Sequence, residues 1–170
     1  MGRLSTNKLV IANPFSDEQM RLLGEFEREY GIEQQIVSAL ETTRRTTTEE
    51  EYESKSKYNN EVDIVLLEIE NDKVTDCCNI QAARDIKTCS IFFAPIKQRK
   101  SRSIINMSTD YALNVLGMEE VFVSIDSTDK YMMSNLETRN FENLGEENGY
   151  ITYLKEKQDQ TVQSSFIQLH

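Results

Sequence analysis

Apolar positions along the chain follow two periods, and the switches between them mark out the elements. Residues 8–12 form a short apolar run that Asn13-Pro14 breaks. Ser16 then offers a helix cap, with Gln19 completing a capping box; Met20, Leu23, Phe26 and Tyr30 follow at helical spacing until Gly31. A second helical stretch over 32–40 carries Ile36, Val37 and Leu40. Residues 41–60 are rich in Thr and Glu and read as an exposed helix or a mobile, lid-like connection.

From residue 62 the period becomes two. Val62, Ile64 and Leu66 point to one side of a strand and Val65, Leu67 and Ile69 to the other, so the pattern predicts a sheet covered on both faces. Asn71-Asp72 turns the chain into a strand over 73–83, and Arg84-Asp85 turns it again. A third strand over 88–94 ends at Pro95 and completes an antiparallel meander. Helical period returns with Ile104, Met107, Tyr111 and Val115 beside Ile105, Ala112 and Leu116, closed by Gly117. Val121, Val123 and Ile125 alternate as a strand, Ser127 or Asp129 can cap a helix over 130–139 that Asn140 ends, and a last strand spans about 150–155. Met132 and Met133 fall on that helix and read as core. The whole is one α/β domain over residues 1–157 with a polar tail over 158–170. The strand–helix–strand from 88 to 126 predicts a right-handed parallel crossover, and ligands of such sheets sit beyond the carboxyl ends of the strands, here at 94–103.

Composition narrows the chemistry. A chain of 170 residues that is 38% hydrophobic can build a core of its own. No apolar run approaches the ~20 residues of a membrane span, and residues 1–8 are too polar for a signal peptide, so a cytoplasmic protein without a membrane partner is expected. Met1-Gly2-Arg3-Leu4-Ser5-Thr6 matches the loose myristoylation pattern, which specifies little. A net charge of −10 repels phosphate backbones and argues against nucleic acid. It suits a cationic partner such as an amine, although a solvated acidic surface explains it equally. Cys77, Cys78 and Cys89 form no Cys-x-x-Cys pair and the one histidine is His170. No metal site is expected, nor Cys–His catalysis, and the cysteines read as small buried hydrophobes of a reducing compartment.

The densest positive cluster, Lys97, Arg99, Lys100 and Arg102, lies between Pro95 and the start of the 103–116 helix. Free amides and the helix dipole favour an anion there, and Ser101 and Ser103 add hydroxyls. A diphosphate site and a solvated basic turn fit this stretch equally well.

The register Pro95-x-x-Gln98-x-x-Ser101-x-Ser103 resembles the coenzyme A loop of the GNAT N-acetyltransferases, Gln/Arg-x-x-Gly-x-Gly/Ala after a strand-ending proline. Tyr111-Ala112-Leu113, Leu116-Gly117-Met118, the strand 120–126 and Leu136-Glu137-Thr138-Arg139-Asn140-Phe141 resemble the helix end, strand and helix that come next in that family. The likeness covers about 88–155 and is strongest to the ribosomal-protein and polyamine branches. It implies a mixed, mostly antiparallel sheet flanked by helices on both faces and an acetyl-CoA-dependent N-acyltransferase without a metal. It also implies an amine acceptor, either a small molecule or a protein N-terminus, and a possible homodimer. By this resemblance the cofactor would meet Phe93, Ala94, Gln98, Arg99, Lys100, Ser101, Arg102, Ser103 and Asp129. The sequence departs from the family in several places. Serines replace both loop glycines and crowd the pyrophosphate, Asp129 stands for an amide, and the usual acid is missing at Leu136 and Met132. Tyr131 and Ser134 are the nearby substitutes. Glu68, with Glu70 and Asp85, is a candidate base, although carboxylates on such strands are more often solvated. The departures leave open a catalytically impaired relative that binds acyl-CoA or a protein, and an unrelated α/β binding module with a generic anion corner. Replacing Ser101 and Ser103 by Gly is expected to tighten CoA binding in calorimetry; weaker binding would contradict this account of the loop.

Overall fold

The computed structural model describes residues 7–32, 35–96, 99 and 103–158. It contains one seven-stranded sheet. β1 (Lys8–Ile11) is followed by helices α1 (Asp17–Glu29), α2 (Gln35–Thr46) and α3 (Glu49–Tyr58). The meander is β2 (Glu61–Glu70), β3 (Lys73–Ala83) and β4 (Thr88–Phe93). After it come α4 (Ser103–Asp110), β5 (Glu120–Asp126), α5 (Lys130–Thr138), β6 (Glu142–Glu147) and β7 (Tyr150–Glu156). The order across the sheet is β1-β2-β3-β4-β5-β7-β6. Every neighbouring pair is antiparallel except β4 and β5, which are parallel and joined through α4.

Both faces are covered, as the two-sided apolar pattern of β2 predicts. Val62, Ile64 and Leu66 join Cys78, Ile80, Ile91 and Val123 in a core under α4 and α5, where Ile104, Ile105, Met132 and Leu136 are buried. Leu67 and Cys77 face the other way, under Leu23, Phe26, Val37 and Leu40 of α1 and α2. The three cysteines are buried and unpaired, and burial pushes the thiols of Cys78 and Cys89 up to about 12.

The caps follow the sequence. The Ser16 hydroxyl accepts from the Gln19 amide at 3.2 Å, and Gln19 Oε1 accepts from the Asn13 amide at 2.6 Å. Asn71 and Asp72 both take positive φ, as a two-residue hairpin turn requires. The polar stretch after residue 40 takes the exposed-helix reading of the two expected: α2 continues to Thr46, and Thr48 caps α3, which buries no residue of its own. Two elements differ from expectation. The helix after Ser103 changes pitch, with a π turn over Tyr111–Val115 in which the Leu116 amide donates to the Tyr111 carbonyl at 3.0 Å. Finally, β6 was not expected. All six of its residues are exposed, so it lacks alternation, and it is the Asn148-Gly149 turn, again with two positive φ angles, that pairs it with β7.

No helix among the described residues is long and apolar enough to cross a membrane. Of the polar tail placed from residue 158, only Gln158 lies within the described residues.

Candidate active site

The site begins where two strands part. β4 and β5 are in parallel register only from Thr88↔Glu120 to Ile91↔Val123. Beyond that point each keeps its outer partner. β4 pairs β3 as far as Cys78↔Phe93, with the Ala94 amide donating to the Cys77 carbonyl at 3.0 Å, and β5 pairs β7 as far as Asp126↔Tyr150. The inner edges of both strands therefore face a gap. A cleft of about 750 Å³ opens there, lined by Phe93, Ala94 and Arg99 on one side, by Ser124 and Asp126 on the other, and by Asp129 and Tyr131 of the α5 end. This is the carboxyl end of the two parallel strands, where the sequence places the ligand.

Of the candidate residues, Phe93, Ala94, Arg99, Asp129 and Tyr131 are brought together here. Ser134 is exposed on α5 and is not among the cleft-lining residues. Lys97, Gln98, Lys100, Ser101 and Arg102 lie outside the described residues. Asp129 caps α5, its Oδ1 accepting from the Met132 amide at 3.0 Å. On the rim, Asp126 accepts both the Thr128 hydroxyl, at 2.6 Å, and the Thr128 amide, and these bonds hold its carboxyl below the usual range. The α5 side of the cleft is thus acidic apart from Lys130.

On that side Arg99 is not a free cation. Its side chain is 4% exposed; Nε donates to Asp76 Oδ2 at 2.9 Å and Nη2 to the Ala94 carbonyl at 2.7 Å. The guanidinium also lies over the Phe93 ring, 5.6 Å from its centroid. Asp76 is itself buried and stands directly across β2 from Glu68. Glu68 is fully buried, so the solvated carboxylate that its place on a strand suggests is not what the fold makes of it. It accepts from the Thr75 hydroxyl at 3.0 Å and from Asn7 Nδ2 at 3.2 Å, and the same Asn7 nitrogen donates to Ser103 Oγ at 3.0 Å. Asp85 is exposed at its turn and Glu70 is half-buried. Two acids beside one cation leave an excess of negative charge. Burial, and then Glu68, push the Asp76 carboxyl up to about 7 against the pull of Arg99 and the Cys77 amide.

Sequence reasoning missed Asp76. Its one signal is an acid at an inward position of an apolar strand. It also missed Glu27 of α1, fully buried, whose Oε1 accepts from the Val37 amide at 2.8 Å and holds the start of α2. Burial raises the Glu27 carboxyl more than the α2 amides lower it.

A second cleft, about 450 Å³, lies on the α2 and α3 side of β2 and β3, with Ile36, Leu40, Tyr52, Asp63, Val65 and Asn79 in its wall. Asn79 Nδ2 donates to Asp63 Oδ1 at 2.6 Å. Asn79 is also the register partner of Phe92, the first β4 residue beyond the last β4–β5 pair. None of the residues that line this second cleft belongs to β4 or β5. Among the described residues no group of acids, cysteines or histidines is placed to hold a metal.

The element order, the sheet and the parted strands together give the fold of the GNAT N-acetyltransferases. Similar solved structures include the Campylobacter jejuni N-acetyltransferase PseH in complex with acetyl coenzyme A, at 10% identity and a TM-score of 0.60, covering 90% of this chain and 100% of that one. The spermidine N-acetyltransferase of Vibrio cholerae in complex with CoA and spermine is similar at 14% identity and a TM-score of 0.60, covering 88% of this chain and 95% of that one. No protein-family model and no curated protein matches the chain by sequence.

Asp76 binds its proton more tightly folded than unfolded. Its contribution to stability is therefore fully present below the unfolded value near 3.8 and is lost as pH rises through about 7. Between about pH 5 and 8 the melting temperature should fall less steeply in Asp76→Asn than in the wild type, read by calorimetric scans; equal slopes would contradict this assignment.

Proposed function

We propose that this chain is an acetyl-CoA-dependent N-acyltransferase acting on a primary amine. The observation that carries the reading is the parting of β4 from β5 with both inner edges open. An extended amide-bearing arm the width of a strand can hydrogen-bond to such edges as a further strand would. The residues present fit that arm: a backbone edge at Phe93, next to Ala94 whose own groups are held by Cys77 and Arg99, and apolar walls from Phe93 and Met132. The diphosphate is assigned to Gln98, Arg99, Lys100, Ser101, Arg102 and Ser103 on the family register, with Arg99 acting through its ion pair rather than as a free charge.

Bound coenzyme A would supply an acyl group activated as a thioester. The acceptor nitrogen attacks the carbonyl carbon, the C–S bond breaks, the amine loses one proton and the departing sulfur gains one. The amides of the open β4 edge are the donors available to a carbonyl oxygen that takes on negative charge. Tyr131 is the one hydroxyl among the sequence candidates that lines the cleft, and it is assigned as the acid that protonates the thiolate. Glu68 is sealed from the cleft by its bonds to Thr75 and Asn7, so deprotonation of the amine falls to water in the cleft. The acceptor is assigned to the second cleft. Asp63 and Glu61 line its mouth and suit an ammonium group, and Ile36, Leu40 and Val65 suit the carbon chain that carries it.

Millimolar acetyl-CoA should raise the melting temperature in a concentration-dependent way, and thiol release should follow when a polyamine or other primary amine is added. Tyr131→Phe should lower kcat by roughly a hundredfold with little change in acetyl-CoA binding. A thermal shift without thiol release across many amines would favour the impaired, acyl-CoA-binding alternative. No shift at all would contradict both.

A further inference from the structure

The acceptor is assigned to the second cleft, yet the thioester would lie in the gap between β4 and β5, and no lining residue of the second cleft belongs to either strand. The register shows what lies between. Val65 pairs with Asn79 and Asn79 with Phe92, so these three side chains share one face of the sheet. Ser90 pairs with Phe122 in the parallel ladder, which places Phe122 and, two residues on, Ser124 on that face as well. Val65 and Asn79 line the second cleft, and Ser124 lines the first. Helices α1 and α2 cover only part of this face: their core takes Leu67 and Cys77 and no residue of β5 or β7. Phe92 is 45% exposed and Ser124 is exposed. An open strip of sheet, with an aromatic ring midway, therefore joins one cleft to the other.

We infer that the acceptor is a long diamine: one ammonium rests at Asp63 in the second cleft, and the other, about 10 Å away, is the nitrogen that reacts in the gap. The inference rests on the acetyl-CoA reading. Asp63 Oδ1 accepts from Asn79 Nδ2 at 2.6 Å, so its carboxylate is drawn toward β3. The same Asn79 nitrogen donates to the Ile64 carbonyl at 2.9 Å, which fixes the group that holds the acid. From Asn79 the middle of the gap is one and a half strand spacings away, roughly 7 Å, and the reach from the carboxylate to Asn79 brings the span to about 10 Å. An extended chain advances about 1.2 Å per bond, so about eight carbons between two nitrogens match the span and about three do not. Charge favours a second cation over a purely apolar tail. Glu61 and Asp63 are both exposed in the lining, and among the described residues neither is ion-paired, to Lys55 of the same lining or to any other cation. The chain carries a net charge of −10, which attracts a dication more strongly than a monoamine. Ile36, Leu40 and Val65 take methylenes out of water beside the anchored end.

Chain length is the test, read as thiol release by the wild-type chain at saturating acetyl-CoA. 1,8-Diaminooctane should exceed 1,3-diaminopropane in kcat/KM by about tenfold, and octylamine by about fivefold, the worth of one exposed ion pair. Asp63→Asn, which keeps an oxygen for Asn79, should bring 1,8-diaminooctane down to the level of octylamine, chiefly by raising KM. Equal kcat/KM for the three amines, or an Asp63→Asn profile like that of the wild type, would overturn the diamine inference and leave the transferase reading intact. If acetyl-CoA shifts the melting temperature but no amine releases thiol, the same amines are titrated calorimetrically onto the acetyl-CoA complex, and equal affinities overturn the inference. Absence of acetyl-CoA binding would instead refute the acetyl-CoA reading, and the inference with it.

Discussion

Two strands that pair for four residues and then separate set everything else in this protein. A parallel pair is normally held to its end by its own ladder. Here the ladder stops at Ile91↔Val123, yet neither strand frays, because each continues on its outer side, β4 along β3 and β5 along β7. The gap is therefore a rigid feature of the sheet. Its edges are backbone amides and carbonyls that cannot pair with one another across the gap. A ligand with amides of its own, such as the arm of an acyl-CoA, can pair with them in their place.

The electrostatics are arranged around the same gap. The chain as a whole is strongly acidic, and the α5 rim of the cleft shares that sign through Asp126 and Asp129. Among the described residues that line the cleft, the cations are Lys130 on the α5 side and Arg99 on the β4 side, and Arg99 is pinned by Asp76. A cation held in this way orients backbone more than it neutralises phosphate. The same acidity suits the second cleft, assigned to the amine, where Asp63 and Glu61 stand with Lys55 in the lining.

Much of the fold was legible because each element is buried on a recognisable period. The two-sided pattern of β2 announced a covered sheet, and the stripe from Ile104 to Val115 announced a crossover helix. What escaped was what burial does not write. β6 buries none of its residues and so carries no period, although Asn148-Gly149 held a turn signal for it, and the lack of a buried face on α3 is why the sequence left helix and connection both open there. The lining of the cleft was legible at Phe93, Ala94 and Tyr131, which lie at the end of a strand and the start of a helix. Asp76 was not legible, because an isolated acid in a strand looks solvated until its cross-strand neighbour and the arginine 23 residues later are placed beside it. Ser134, one turn beyond Tyr131 on α5, is exposed and does not line the cleft, which its sequence position alone did not reveal.

The claim that the strand gap holds the cofactor is tested most directly by amide hydrogen exchange with and without acetyl-CoA. The account predicts slowed exchange at Phe93 of β4 and on the inner edge of β5 at Ser124 and Ile125, with little change at β6. Unchanged exchange on both parted edges under saturating acetyl-CoA, or protection confined to α2 and α3, would contradict it.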